Sequence, residues 1–248
     1  MTARLITIPF SHYCEKARWA LTACGVAFQE DGHLPLFHYL ATLPAGANRS
    51  VPAVIDKKQV IPDSTPIVAW ADTHRPGTLL PARDPDRADA LGLEDDFDRH
   101  LGPATRRWMY FHLIDRKDLD HVLLANLPRW EVLALRATRP VALAYLKRSL
   151  NVNAAGAERS VKKIDETFAN VGALLGDGRR YLIGDRFTVA DLTFAALAAP
   201  ILLPADYGSP LPSLDAFPGP ARTRIETWRR SPPGQFALRI YADHRRAA

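Results

Sequence analysis

A hydroxyl residue stands at the joint between a short apolar run and a helix near the start of this chain. Leu5-Ile6-Thr7-Ile8 reads as a strand, and Ser11-His12-Tyr13-Cys14-Glu15-Lys16-Ala17-Arg18-Trp19 as a turn entering a helix that runs from Cys14 to about Ala23. A helix start of this kind presents free backbone N–H groups and the positive end of the helix dipole, a place where an anion such as a thiolate is stabilised. Ser11 can serve there as an N-cap or as a donor to a bound anion, and the chemistry of the residue leaves both open.

The rest of the first third continues the mixture of strands and helices. Ala53-Val54-Ile55 and Gln59-Val60-Ile61 flank Asp56-Lys57-Lys58 and predict a hairpin. Phe28–Glu30 reads as a strand and Leu36–Leu43 as a short helix, and a further helix follows from Ser64, with Pro66 in its first turn. Arg75-Pro76-Gly77 through Pro81 is rich in breakers, so residues 1–75 are expected as one domain, 76–83 as a linker and 84–248 as a helical domain. In that second part Asp84-Pro85-Asp86 reads as a cap ahead of a long pattern towards Leu113. Val161, Ile164, Phe168, Val171 and Leu175 recur at helical spacing, and Thr188-Val189-Ala190-Asp191 forms a capping box with Phe187 and Leu192 as its staple.

Composition narrows the function. Two cysteines cannot build a disulfide framework, which makes a reducing, cytoplasmic setting the expectation. No sustained apolar run follows Arg4, so no signal peptide is expected. The longest apolar run, Leu192–Ala205, is too short to span a bilayer and contains two prolines. The net charge of +5 is spread among interspersed acids and bases, which points away from nucleic acid and membrane partners. Metal-ligand spacings and phosphate-loop motifs are missing from the sequence, so no metal is expected.

Cys14, Ala17, Leu21 and Cys24 share one face of the first helix, which assigns both cysteines to packing, although Cys14 lies one turn inside a helix start where thiol pKa values fall. Pro52 precedes a strand, and Asp63-Ser64 precedes a helix as an ordinary cap. Arg106, Arg107, Trp108, Tyr110 and Phe111 gather on the first long helical stretch of the second domain.

Together, Ser11–Trp19, Val51-Pro52-Ala53-Val54-Ile55 and Asp63-Ser64-Thr65-Pro66-Ile67 resemble the thioredoxin-like half of a glutathione transferase, and Tyr181-Leu182-Ile183-Gly184-Asp185-Arg186-Phe187-Thr188-Val189-Ala190-Asp191-Leu192 is similar to that family's helical half. The resemblance is thin over residues 28–50 and 114–158. It implies an α/β thioredoxin-like domain followed by an all-α domain, with glutathione as co-substrate and a homodimeric assembly. By the same resemblance Ser11 contacts the glutathione sulfur, Val51 pairs its backbone with the cysteinyl part ahead of a cis Pro52, and Asp63 and Ser64 bind the γ-glutamyl end. Asp191 is implied as a structural cap. The electrophile, small and mostly apolar, is expected where the domains meet, near Phe10, His12, Arg107, Trp108 and Tyr110. An arginine facing that cleft would suit an electrophile carrying an anionic group.

Some members of that family carry Cys at the position of Ser11 and exchange disulfides, and others place a Tyr near the end of the first strand. Here the first position is serine and no Tyr occurs up to Phe10, which favours thiolate activation and leaves Cys14 as the alternative nucleophile. The expected activity is conjugation of glutathione to an electrophile. Glutathione-dependent disulfide or peroxide reduction, and a non-catalytic binding module, are the two alternatives.

Overall fold

The computed structural model describes residues 2–57 and 59–245. Four short strands form one sheet in the order β2-β1-β3-β4. β1 (Ala3–Thr7) runs parallel to β2 (Phe28–Gly32), with Leu5 opposite Glu30, and antiparallel to β3 (Ala53–Asp56), with Leu5 opposite Val54. β3 turns through Lys57, at φ 53°, into β4 (Gln59–Pro62) and pairs Val54 with Ile61. The hairpin forms where the sequence predicts it. β1 starts two residues before Leu5 and stops one before Ile8, because its extent follows the ladder to Phe28–Gly32 rather than its apolar run.

Alternation along a strand sends neighbouring side chains to opposite faces. Leu5, Val54 and Ile61 enter the large core shared with the helices, whereas Ile6 and Ala53 join Ala41 and Ala47 in a small cluster on the other face. α1 (His12–Ala23) and α3 (Ser64–His74) pack together on the first face, and α2 (Tyr39–Thr42) brings Ala41 to the second.

No helix or strand forms between His74 and α4 (Asp84–Asp96). Arg83 takes the cap position that the sequence assigns to Asp84, and Pro85 becomes the second helical residue, whose missing N–H has no intrahelical acceptor to lose. The expected run to Leu113 is interrupted by a π-helical turn, Phe97–Leu101, before α5 (Gly102–Leu113). The widened turn buries both Phe97 and Leu101 and places Asp98 against α1. After α6 (Asp120–Leu123) comes α7 (Arg129–Ser149), of which only Glu131 and Ala142 are buried.

α8 (Ala154–Leu175) has the amphipathic pattern expected of it, with Ile164, Phe168 and Val171 buried and Asn153 capping through the Gly156 N–H at 2.8 Å. α9 (Val189–Leu202) is buried at every position, as a helix apolar all round must be. It is the axis on which α1, α4, α5, α10 (Gly219–Arg230) and α11 (Pro232–His244) pack. The Asp191 carboxylate accepts the Leu182 and Thr188 N–H groups at 2.7 and 2.8 Å and the Thr188 hydroxyl at 2.9 Å, which ties the incoming loop to the helix start. Among the described residues no helix is long and apolar enough to cross a membrane.

The domains join through α1. Its charged residues lie off the Cys14–Cys24 stripe, yet Glu15, Lys16 and Arg18 are all buried. Lys16 sits between Glu94 and Asp98 of the second domain, at 2.7 and 2.6 Å. Glu15 lies between Arg18 and Arg245, at 2.8 and 2.7 Å, and Arg18 also reaches Glu30 at 2.8 Å. His12 and Tyr13 donate to the Gly102 and Asp98 carbonyls at 2.9 and 2.8 Å. A side chain at position 102 would collide with the Tyr13 hydroxyl, so glycine there permits the close approach of α1 and α5.

Candidate active site

Ser11 occupies the N-cap position of α1 with extended backbone, φ −75° and ψ 126°, and its side chain makes no capping hydrogen bond. The Ser11 carbonyl accepts the first helical bond from the Glu15 N–H at 2.9 Å, and its own N–H donates to the Ile8 carbonyl at 2.8 Å. The hydroxyl, within reach of the Cys14 sulfur, is left for a ligand at a helix end whose first amides have no intrahelical acceptor.

Cys14 lies beneath it, fully buried, with its sulfur accepting from the Ile8 N–H at 3.4 Å. Burial pushes the thiol up to about 11 despite the nearby Arg18 cation and the hydrogen bonds to the sulfur. A thiol held protonated and away from solvent is a packing group rather than a nucleophile. Cys24 is buried too, and desolvation pushes it up to about 12.

The Val51–Pro52 peptide bond is cis. The Pro52 carbonyl accepts the Asp63 N–H at 2.9 Å, which brings the acid–hydroxyl pair Asp63-Ser64 alongside Val51. Asp63 holds φ 72°, a left-handed conformation that costs an L-residue on the order of 1–3 kcal/mol. Its carboxylate accepts the Ser64 N–H at 2.6 Å and so caps α3, where Ser64 is buried and Asp63 exposed.

A cavity of about 420 Å³ opens where the domains meet. Phe10, Ser11, His12 and Val51 line its first-domain side, and Arg106, Met109, Tyr110 and Leu113 of α5 its second-domain wall. These four α5 residues recur at i, i+3, i+4 and i+7, one face of a helix. Leu135, Arg139, Leu143 and Leu146 of α7 close the far side, and Leu34, Leu36 and Tyr39 border the mouth below Val51.

Two residues expected there lie elsewhere. Arg107 projects from another face of α5 and donates to the Leu150 carbonyl at 3.0 Å and the Ser160 hydroxyl at 3.1 Å, pinning α5 to the α7–α8 loop and to α8. Trp108 is buried in the second-domain core, edge-on to Trp228 with ring centroids 5.1 Å apart. Arg106 takes the place expected of Arg107: it is half-buried, lines the cavity and stands over the Tyr13 ring with its guanidinium carbon 5.9 Å from the centroid. The 3.6-residue spacing from Arg106 through Tyr110 to Leu113 is the signal that separates it from its neighbour.

His12 lines the cavity as a neutral imidazole whose N–H is committed to the Gly102 carbonyl. Burial, with the Arg106 cation beside it, lowers its pKa to about 3, outweighing the hydrogen bond to Gly102. Desolvation raises the Tyr110 phenol above its usual range, so it remains a hydrogen-bond donor. Among the described residues no group of three or more His, Cys, Asp or Glu side chains is placed to hold a metal ion.

Among curated proteins no sequence matches this chain. Solved structures share its architecture at low identity. A glutathione S-transferase from Xanthobacter autotrophicus Py2 superposes with a TM-score of 0.65 at 15% identity, covering 99% of this chain and 96% of its own. One from Ceriporiopsis subvermispora, solved in complex with glutathione, gives 0.66 at 15% identity over 100% and 99% of the two chains. The β-etherase LigF from Sphingobium sp. strain SYK-6 gives 0.62 at 17% identity over 96% and 99%. Likeness at such identity shows the fold. The sequence itself matches the family model for the glutathione S-transferase N-terminal domain over residues 5–79 and that for the C-terminal domain over residues 154–230. With both halves matched in order over more than half its length, this chain belongs to the glutathione S-transferase family.

Proposed function

We propose that the protein is a serine-type glutathione transferase, joining the glutathione thiolate to a small, mostly apolar electrophile. The observation that carries this reading is Ser11, which stands at a helix N-terminus with its hydroxyl not spent on capping and lines a cavity walled mainly by apolar side chains of α5 and α7. In this reading the Val51 backbone holds the cysteinyl part of glutathione. The Asp63 carboxylate and the α3 start at Ser64 hold the ammonium and carboxylate of its γ-glutamyl end. The family's homodimer belongs to the reading, as does a reducing cytoplasmic setting for two free cysteines.

Magnitudes favour a shared task for dipole and hydroxyl. A free thiol with pKa ~8.5 is only ~3% ionised at pH 7, and lowering it by ~2 units takes about 2.7 kcal/mol of preference for the anion. A helix N-terminus supplies ~0.3–1 kcal/mol, up to ~2 in a partly buried geometry. A hydrogen bond to a charged group adds ~1.5–3 kcal/mol. The dipole alone falls short, and the dipole with Ser11 suffices. The thiol proton leaves to solvent, the sulfur–carbon bond forms, and the leaving group departs with its electron pair.

Ultraviolet thiolate absorbance, followed while glutathione is titrated across pH, tests the reading. The wild type is expected to bind the thiol with an apparent pKa ~2 units below its free value, and Ser11→Ala to return it most of the way at little loss of affinity. An unchanged pKa in that variant removes Ser11 from the chemistry. Binding without ionisation in the wild type would favour the non-catalytic module. Disulfide exchange through Cys14 draws no support from a thiol buried and held protonated.

A further inference from the structure

Among the described residues Arg106 is the half-buried arginine with neither a hydrogen bond nor an ion pair. The other arginines withdrawn from solvent are engaged: Arg18 and Arg245 with Glu15, Arg107 with Ser160, and Arg229 with the Leu203 carbonyl. Within the cavity Arg116 is held by Asp118 and the Ala216 carbonyl, and Arg139 by Asp120 at 2.6 Å. Among the described residues Asp120 is the only carboxylate in the lining, so that pairing leaves the cavity with unneutralised positive charge. Arg49 is exposed on the first-domain rim, and Arg106 stands on the opposite wall. The Arg106 guanidinium lies over the ring of Tyr13, whose hydroxyl is fixed to the Asp98 carbonyl at 2.8 Å, and its N–H edge is uncommitted.

A partly desolvated cation without a partner is unfavourable, and a guanidinium edge is shaped to take two oxygens of a planar anion at once. We propose that the electrophile of this enzyme is a carboxylate, gripped by Arg106 through that edge, with its apolar body against Met109, Leu113, Leu143 and Leu146. Arg106 is then a specificity-determining residue. The inference rests on the transferase reading above. The γ-glutamyl carboxylate of glutathione is assigned to Ser64 in the first domain, away from Arg106, and the free-peptide arm of the test below separates use of Arg106 by glutathione from its use by the second substrate.

Two isosteric haloarenes test it: 4-chloro-3,5-dinitrobenzoate and its neutral carboxamide, together with the glutathione conjugates each forms by sulfur–carbon bond formation and loss of chloride. Conjugate affinities are measured by calorimetry, and kcat/KM is normalised to each compound's uncatalysed rate. The wild type is expected to favour the carboxylate about tenfold or more in both. Arg106→Met is expected to remove that preference, through KM in the kinetics, and Arg106→Lys to keep part of it and to show that loss of the side chain rather than of the fold is responsible. Equal treatment of the two compounds by the wild type overturns the proposal. So does an Arg106→Met variant that weakens free glutathione and both conjugates alike, since that places Arg106 on the peptide. Preference among the conjugates without turnover would uphold the anion site and sink the transferase reading. Failure to bind glutathione or either conjugate would sink both.

Discussion

At the start of α1, Ser11 is half-buried and lines the cavity, whereas Cys14, three residues on, is fully buried. Their chemistry follows from that difference. Cys14 and Cys24 carry pKa values pushed by burial to about 11 and about 12, so a thiol reagent at pH 8 is expected to label neither cysteine in the native protein and both after denaturation. Rapid native labelling of Cys14, followed by mass spectrometry, would reopen its candidacy as a nucleophile. The stripe Cys14, Ala17, Leu21, Cys24 was readable because apolar side chains at helical spacing mark a buried face. Arg106 was not separated from Arg107 because adjacent residues on a helix point about 100° apart, and only the register of the whole face says which one meets a cleft.

At the scale of elements, caps and periodicity made the β3–β4 hairpin, α3, α8 and the start of α9 legible, since each rests on local contacts. The π-turn at Phe97–Leu101 was not: the contact it makes, Asp98 on Lys16, is with a distant part of the chain and leaves no local pattern. α7 was illegible too, having so little buried face to imprint a pattern. Its attachment to the first domain runs through the buried Glu131, which accepts the Leu34 N–H at 2.8 Å and meets His33 at 2.6 Å, with Asp31 at 3.1 Å on the other ring nitrogen. Burial alone would lower the His33 pKa, but these two carboxylates outweigh it and raise the value above its ordinary ~6.5. The stabilisation is therefore complete below ~6.5 and is lost as pH rises through the raised value. Limited proteolysis of the α7 segment is expected to quicken over that range in the wild type. His33→Gln, compared at each pH to cancel the protease's own profile, should be cleaved fast throughout.

For the molecule as a whole, the buried ions of α1 are points where losing one partner is costly. Lys16 has lost its water and gained Glu94 and Asp98, so Lys16→Met leaves two acids facing an apolar tip. Removing one side of such a cluster costs about 3–5 kcal/mol, an amount that urea titration will resolve. Because α1 packs into one large core shared with the helices of the second domain, unfolding of the wild type is expected to be a single step, with tryptophan fluorescence and far-ultraviolet circular dichroism changing together. Two separate transitions would show that the domains hold themselves. The breaker-rich segment between His74 and Asp84 is what suggests a division into two parts, yet that division does not extend to the ions. Glu15, Lys16 and Arg18 are matched to Arg245, Glu94, Asp98 and Glu30 as a lock's pins are to one key. A first half grafted onto a relative's second half would keep Arg18 with Glu30 but carry Lys16 and Glu15, stripped of Glu94, Asp98 and Arg245, into a surface never shaped to receive them. The part that can be transplanted is therefore not a domain but a helix together with its counter-ions, and it is drawn from both ends of the chain.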